Sequence, residues 1–324
     1  MRRLNQRNTQ ASPEQGAVSV LVAISLVVLL GFAAIAVDVS MLYAERTQLR
    51  NGADAAALAI AQKCAKNAKD SNCSTSAPLA STLANGNAND GISNIKSIAL
   101  GSSNGPVTVT VGAQEAGHAP NQVSLFFAKI FGIKSAEVNA TSTAAWGTPS
   151  KGPAILPLAV AYCKLNIPLD GSVGAEQVLD QQARSCGDTL PGGFGWLPTD
   201  PKTCTVTATA GTSTMSGIWF PVDPGASAPT GCQTADFTKV QDQTVLLPVY
   251  DAATGTGSTG QYYVKGFAAF HVTGYHFSNF SWSTGGNVQN KTLRGYFVKF
   301  VTLSQAFELG NVPNFGASIV RLTP

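Results

Sequence analysis

From Ala17 to Val37 the chain reads AVSVLVAISLVVLLGFAAIAV, 21 residues without a charge. A helix of that length rises about 31 Å at 1.5 Å per residue, which matches the hydrocarbon core of a bilayer. Within lipid every backbone amide must be satisfied inside its own segment, so such a stretch crosses as a helix. The sequence therefore predicts a retained transmembrane helix bounded by Ala17 and Val37, with Asp38 as the polar stop. The competing reading is a cleaved signal peptide, for which Ala34-Ile35-Ala36 fits an A-x-A site. Signal cores have about 7–15 apolar residues, which favours the anchor.

Nothing after Val37 breaks a helix except Gly52, at a cost of about 1 kcal/mol relative to Ala. Val39, Leu42, Arg46, Leu49, Ala53, Ala56 and Ile60 recur at spacings of three and four, a stripe along one helical face. Five alanines lie between Ala53 and Ala59, and Ala is the best helix former. One helix is expected from about residue 17 to about 66, on the order of 75 Å long. Its contact face would be Leu42, Arg46, Leu49, Ala53, Ala56, Ala57 and Ile60. The small residues allow close approach, either by the protein's own domain or by similar helices in an assembly.

Arg2, Arg3 and Arg7 precede the span, and Arg46 and Arg50 follow it. The excess of basic residues at the start favours a cytoplasmic N-terminus, hence a single-pass cell-membrane protein with its bulk outside the cytoplasm. The six cysteines all lie beyond the span, without CxxC or Cys/His ligand spacing, and so read as disulfides of an oxidising compartment. Proximity in sequence pairs Cys64 with Cys73, Cys163 with Cys186, and Cys204 with Cys232. Charged residues make up only 12% of the chain, and the formal charge of +3 has no basic patch behind it. Nucleic-acid binding is excluded on that ground.

The expected fold is α+β: a tail over 1–16, the span over 17–37, a helix extension with a small α+β domain over 38–147, and a mainly β domain over 148–324. In the small domain PVTVTVGA and AEVNATSTAAW alternate as strands do. NQVSLFFAKIFGI places Val123, Phe126, Phe127, Ile130 and Phe131 at helical spacing, with Asn121 as its cap. The other use of that apolar stripe is a membrane-surface contact. GTPSKGP (147–153) reads as a turn-rich linker. Beyond it, seven candidate strands separated by Gly and Pro clusters point to a sandwich or partly closed barrel, with GAEQVLDQQARS as the one helix.

Chemistry is sparse. No GxSxG, HExxH or P-loop occurs. His271 and His276 are five apart in a strand-like run and face opposite ways, which argues against a shared metal. Asp170, Asp188, Asp200, Asp223 and Asp251 lie in predicted loops, where Asp beside Gly often forms turns, and Asp180 falls within GAEQVLDQQARS. Phe194 and Trp196 in GGFGW fit either a core plug or an exposed sugar platform. No catalytic residue, metal or cofactor is expected.

The N-terminal stretch, with Gly16 before the apolar run, Asp38 at its end, then Tyr43, Arg46, Leu49 and the Ala-Asp-Ala-Ala-Ala of 53–57, resembles the signature of TadE/TadG-like Flp pilus-assembly proteins. GFAAFHVTGYHF and RGYFVKFV resemble the secreted half of actinobacterial proteins with this N-terminus. The resemblance implies a non-enzymatic, bitopic envelope protein that assists in building or anchoring a pilus, with pilus-assembly proteins or pilin-like helices as partners. Processed pilins carry Glu five residues after the Gly; Leu21 stands there, which implies the unprocessed TadG type. A membrane-anchored adhesin binding a glycan or wall polymer is the alternative, and an exported hydrolase a more distant one.

Overall fold

The uncharged run and the Ala-rich run that follows form one uninterrupted helix, α1 (Glu14–Lys66), of 53 residues and about 80 Å. The computed structural model describes residues 14–101, 105–167, 174–183, 186, 191–211, 219–223, 225 and 227–323, with residues 14–17 as helical backbone only. Arg2, Arg3, Arg7, Asp170 and Asp188, and the side chain of Ala17, lie outside the described residues. The chain packs into two units. The first comprises the chain up to Ala53, Ser81–Lys96 and Thr110–Thr141; the second comprises Asp54–Ala80, Ser97–Val109 and the chain from Ser142 onward.

In the first unit α1 carries two surfaces of opposite character. Val18 to Val37 are uncovered except for half-buried Ala34, with Leu21, Val27, Leu29 and Phe32 each about two-thirds exposed (66, 68, 67 and 68%). Apolar exposure on that scale belongs in lipid, not water. Further along, a narrow stripe becomes buried at Asp38, Leu49 and Ala53. A second helix, α2 (Pro78–Asn87), was not expected from the Asn- and Gly-containing sequence there. Pro78 starts it where the missing amide costs nothing. Ala84 lies against Gly52 of α1, so closely that a Cβ on Gly52 would sit 3.0 Å from the Ala84 Cα. Gly52 thus permits the close approach. Gln48 fixes the same region, accepting a hydrogen bond from the Asn89 amide at 2.7 Å.

Each unit holds a length of β1 (Ser93–Leu100), β2 (Val107–Ala113) and a sixteen-residue strand that neighbours β2 in the sheet. The first unit also contains β3 (Gln122–Ser124) and β4 (Ser135–Glu137), an antiparallel hairpin pairing Gln122 with Glu137 and Ser124 with Ser135. The sixteen-residue strand is β5 (Asn139–Ala154). It contains residues 147–153, so the linker expected there is part of a strand. NQVSLFFAKIFGI is likewise not a helix. Val123 is buried in β3, and only Ala128–Phe131 turn, as a single 3-10 turn closed by Gly132 in the left-handed region. Asn121 caps nothing helical. It occupies the left-handed region (φ 66°), which Asn tolerates, and exchanges backbone bonds with Ala113 and Val138.

In the second unit the sheets pack into a mainly β body. β5 pairs antiparallel with Ala317–Thr323, Val206–Thr209 and Glu308–Gly310. The seventeen-residue strand Gln261–Phe277 is central to the other sheet, antiparallel to Thr244–Thr254 and to Thr292–Val298. GAEQVLDQQARS, expected as a helix, instead supplies the strand Gln177–Asp180, paired with Thr292–Gly295. Its helix-forming residues are overruled by an available sheet edge. Phe194, Trp196, Phe237, Phe270 and Phe277 fill the core. Three disulfides, Cys64–Cys73, Cys163–Cys186 and Cys204–Cys232, use all six cysteines.

Candidate functional site: the membrane exit of the long helix

Asp38 is the first residue past the uncharged stretch and is buried, at 4% exposure. Its carboxylate accepts from three consecutive backbone amides. Oδ1 takes Phe126 N at 3.0 Å and Phe127 N at 3.2 Å; Oδ2 takes Phe127 N at 3.0 Å and Ala128 N at 2.7 Å. These amides open the 3-10 turn Ala128–Phe131, whose flanking Phe127 makes no side-chain cap of its own. A residue some ninety positions upstream thus does what an N-cap does, aiming negative charge at converging N–H dipoles. Burial raises the Asp38 pKa. The three amides, helped by Lys129, more than offset it and hold the group below the ordinary carboxylate value.

The turn closes through Gly132 N to Lys129 O at 3.0 Å and Ile133 N to Ala128 O at 3.3 Å, and Leu125 N meets Lys134 O at 3.0 Å. Glu115 secures the hairpin's near strand, accepting from Ser124 N at 2.9 Å and Ser124 Oγ at 2.6 Å. Lys96 and Glu137 form an ion pair at 2.8 Å on its far strand. The loop is therefore built, not slack. What it presents is apolar: Phe126, Ile130, Phe131 and Ile133 are 63, 77, 78 and 56% exposed.

The helix face named from spacing divides. Leu49, Ala53, Ala56, Ala57 and Ile60 are buried within this chain, at 2% exposure or less. Leu42 is half-buried, whereas Val39 and Arg46 are exposed. Both of these, with Leu42 and Tyr43, line a shallow groove with Glu137, Val138 and Asn139.

Most of the remaining described candidates are held by structural partners. His271 bonds Asp242 at 3.0 Å and Thr244 at 3.2 Å, and stacks on Tyr296. His276 bonds the Val288 carbonyl at 3.0 Å. Asp251 pairs with Lys265 at 2.6 Å, Asp200 accepts from Thr207 at 2.8 Å, and Asp180 accepts from the Gln182 amide at 2.8 Å. Phe194 and Trp196 are buried in the core, at 1 and 0% exposure, and present no stacking platform. Asp223 borders a cleft of about 500 Å³ with Gln182, Tyr262 and Gln261. Among the described residues no group of three or more His, Cys, Asp or Glu could hold a metal.

No curated protein and no solved structure matches this chain. A family model does match residues 16–63: Tad, described as "Putative Flp pilus-assembly TadE/G-like". The matched stretch lies wholly within α1, taking in the apolar run, Asp38 and the Ala-rich extension. Over this N-terminal segment the chain is similar to TadE/G-like Flp pilus-assembly proteins.

Proposed function

We propose that the chain is a non-enzymatic, single-pass envelope protein of the TadG type, acting in the assembly or anchoring of a Flp-type pilus. The observation that carries this reading is the coincidence of the family match over 16–63 with one helix that is bare and apolar as far as Val37 and packed by its own chain along one stripe beyond it. The N-terminus is cytoplasmic and the chain from Asp38 onward lies outside, where six paired cysteines are chemically at home. Because Ala53, Ala56 and Ala57 are already covered by this chain, partner pilin-like helices meet α1 on its uncovered part, within the membrane and around Tyr43.

Deleting the gene and counting surface filaments by electron microscopy tests this. Filaments should be lost and should return with the full chain, but not with a chain whose span is replaced by a cleavable leader. Filament numbers unchanged by deletion would overturn the assembly role. Orientation is read separately, by asking whether a membrane-impermeant amine reagent modifies Lys239 in intact cells or only once the membrane is opened.

A further inference from the structure

We infer that the loop 125–134 is a second membrane foothold, entering the headgroup and upper acyl region of the extracytoplasmic leaflet beside the span. The inference rests on the reading that α1 crosses the bilayer. Three observations carry it. First, Asp38 directly follows the apolar stretch, and its carboxylate lies within 2.7–3.2 Å of the Phe126, Phe127 and Ala128 amides. The turn is therefore held at the level where α1 leaves lipid. Second, four large apolar side chains within eight positions, Phe126, Ile130, Phe131 and Ile133, stand more than half exposed, while Leu125 and Val123 on the hairpin's inner side are buried.

Third, cations flank these side chains. Lys129 lies 4.9 Å from the Phe126 ring centroid, and Lys134 follows Ile133 in the exposed segment. Apolar side chains edged by lysines are the composition of an interfacial segment, with ammonium groups at phosphate level and rings below. A loop bearing the same side chains in water would be an aggregation surface. Continuity with the span selects lipid as the occupant over a second protein.

The test uses the full chain in lipid nanodiscs, with Phe131→Trp as the probe and Val28→Trp marking the span. Phe131→Trp is expected to shift its emission to shorter wavelength and to lose intensity when the discs contain phospholipid brominated high on the acyl chain. Val28→Trp is expected to respond to lipid brominated deep in the chain. Full Phe131→Trp emission beside a quenched Val28→Trp overturns the foothold and leaves the transmembrane reading standing. Full emission from both removes the two together. Cross-linking between copies through position 131 without quenching assigns the face to a second copy and also overturns the proposal. Ile130→Trp repeats the measurement on an independent side chain, guarding against local misfolding of the first variant.

Discussion

Asp38 shows how one side chain can serve two purposes at a boundary. It ends the apolar run, and it is the anion on which the first unit's hairpin loop closes. Replacing it with Ala leaves three amides without their acceptor, and an unmet buried donor is costly. In Asp38→Ala, hydrogen exchange at Phe126, Phe127 and Ala128 should speed up by about tenfold or more, while the strand amides of Val109 and Val111 stay protected. Acid should act in the same direction. Asp38 and Glu115 both have pKa values lowered on folding, against the raising effect of burial, by the amides and by Ser124 respectively. A lowered folded pKa means that the stabilisation is present above the unfolded value of about 4 and is lost as pH falls through the folded value. A pH series from about 6 to 2.5, followed by exchange at these amides, should show the loop opening at the acid end. That Asp38 ends the uncharged run was legible in the sequence, but its carboxylate's partners were not. They lie 88 to 90 residues away, and no local pattern encodes such a pairing.

At the scale of elements, the long helix was the most legible part, because hydropathy and alanine content act locally and agree with each other. The stripe along it was read less well: Arg46 shares the spacing but projects into solvent. Helix α2 went unread because Asn85, Gly86 and Asn87 are poor helix formers; burial of Ala80 and Ala84 accounts for it instead. Gly52 is where the two helices meet. Gly52→Val should destabilise the first unit by about 1–3 kcal/mol through overpacking against Ala84, despite removing the helix cost of glycine. Thermal unfolding followed by circular dichroism measures it, and an unchanged transition would mean that the crossing is looser than the 3.0 Å spacing implies. The stripe Phe126, Phe127, Ile130, Phe131 misled for a physical reason. Spacing of three and four fits a helix without requiring one, and here Val123 is buried in β3, only Ala128–Phe131 turn, and Phe126, Ile130 and Phe131 stand exposed.

For the whole molecule, the α+β class and the three cysteine pairs were readable, the pairs because they join the first cysteine with the second, the third with the fourth and the fifth with the sixth in chain order. Organisation into units was not readable, since α1, β1, β2 and β5 each contribute to both. The disulfides of the second unit stabilise it chiefly by restricting the unfolded chain. Cys204 and Cys232 also sit in its aromatic core. Changing both to Ser should cost roughly 2–5 kcal/mol, read as a lowered denaturant midpoint of the full chain in detergent; a midpoint that does not move would show the bridge to be dispensable. One last consequence comes from α1 having no joint. It is fastened at Asp38 to the turn, at Gln48 to Asn89 and at Gly52 to Ala84. Those fastenings set its phase as a keyway sets a shaft: one residue inserted near Tyr43 would swing Asp38 by about 100° and shift it by about 1.5 Å relative to the other two, so the spacing from 38 to 52 is as much a part of the design as the side chains themselves.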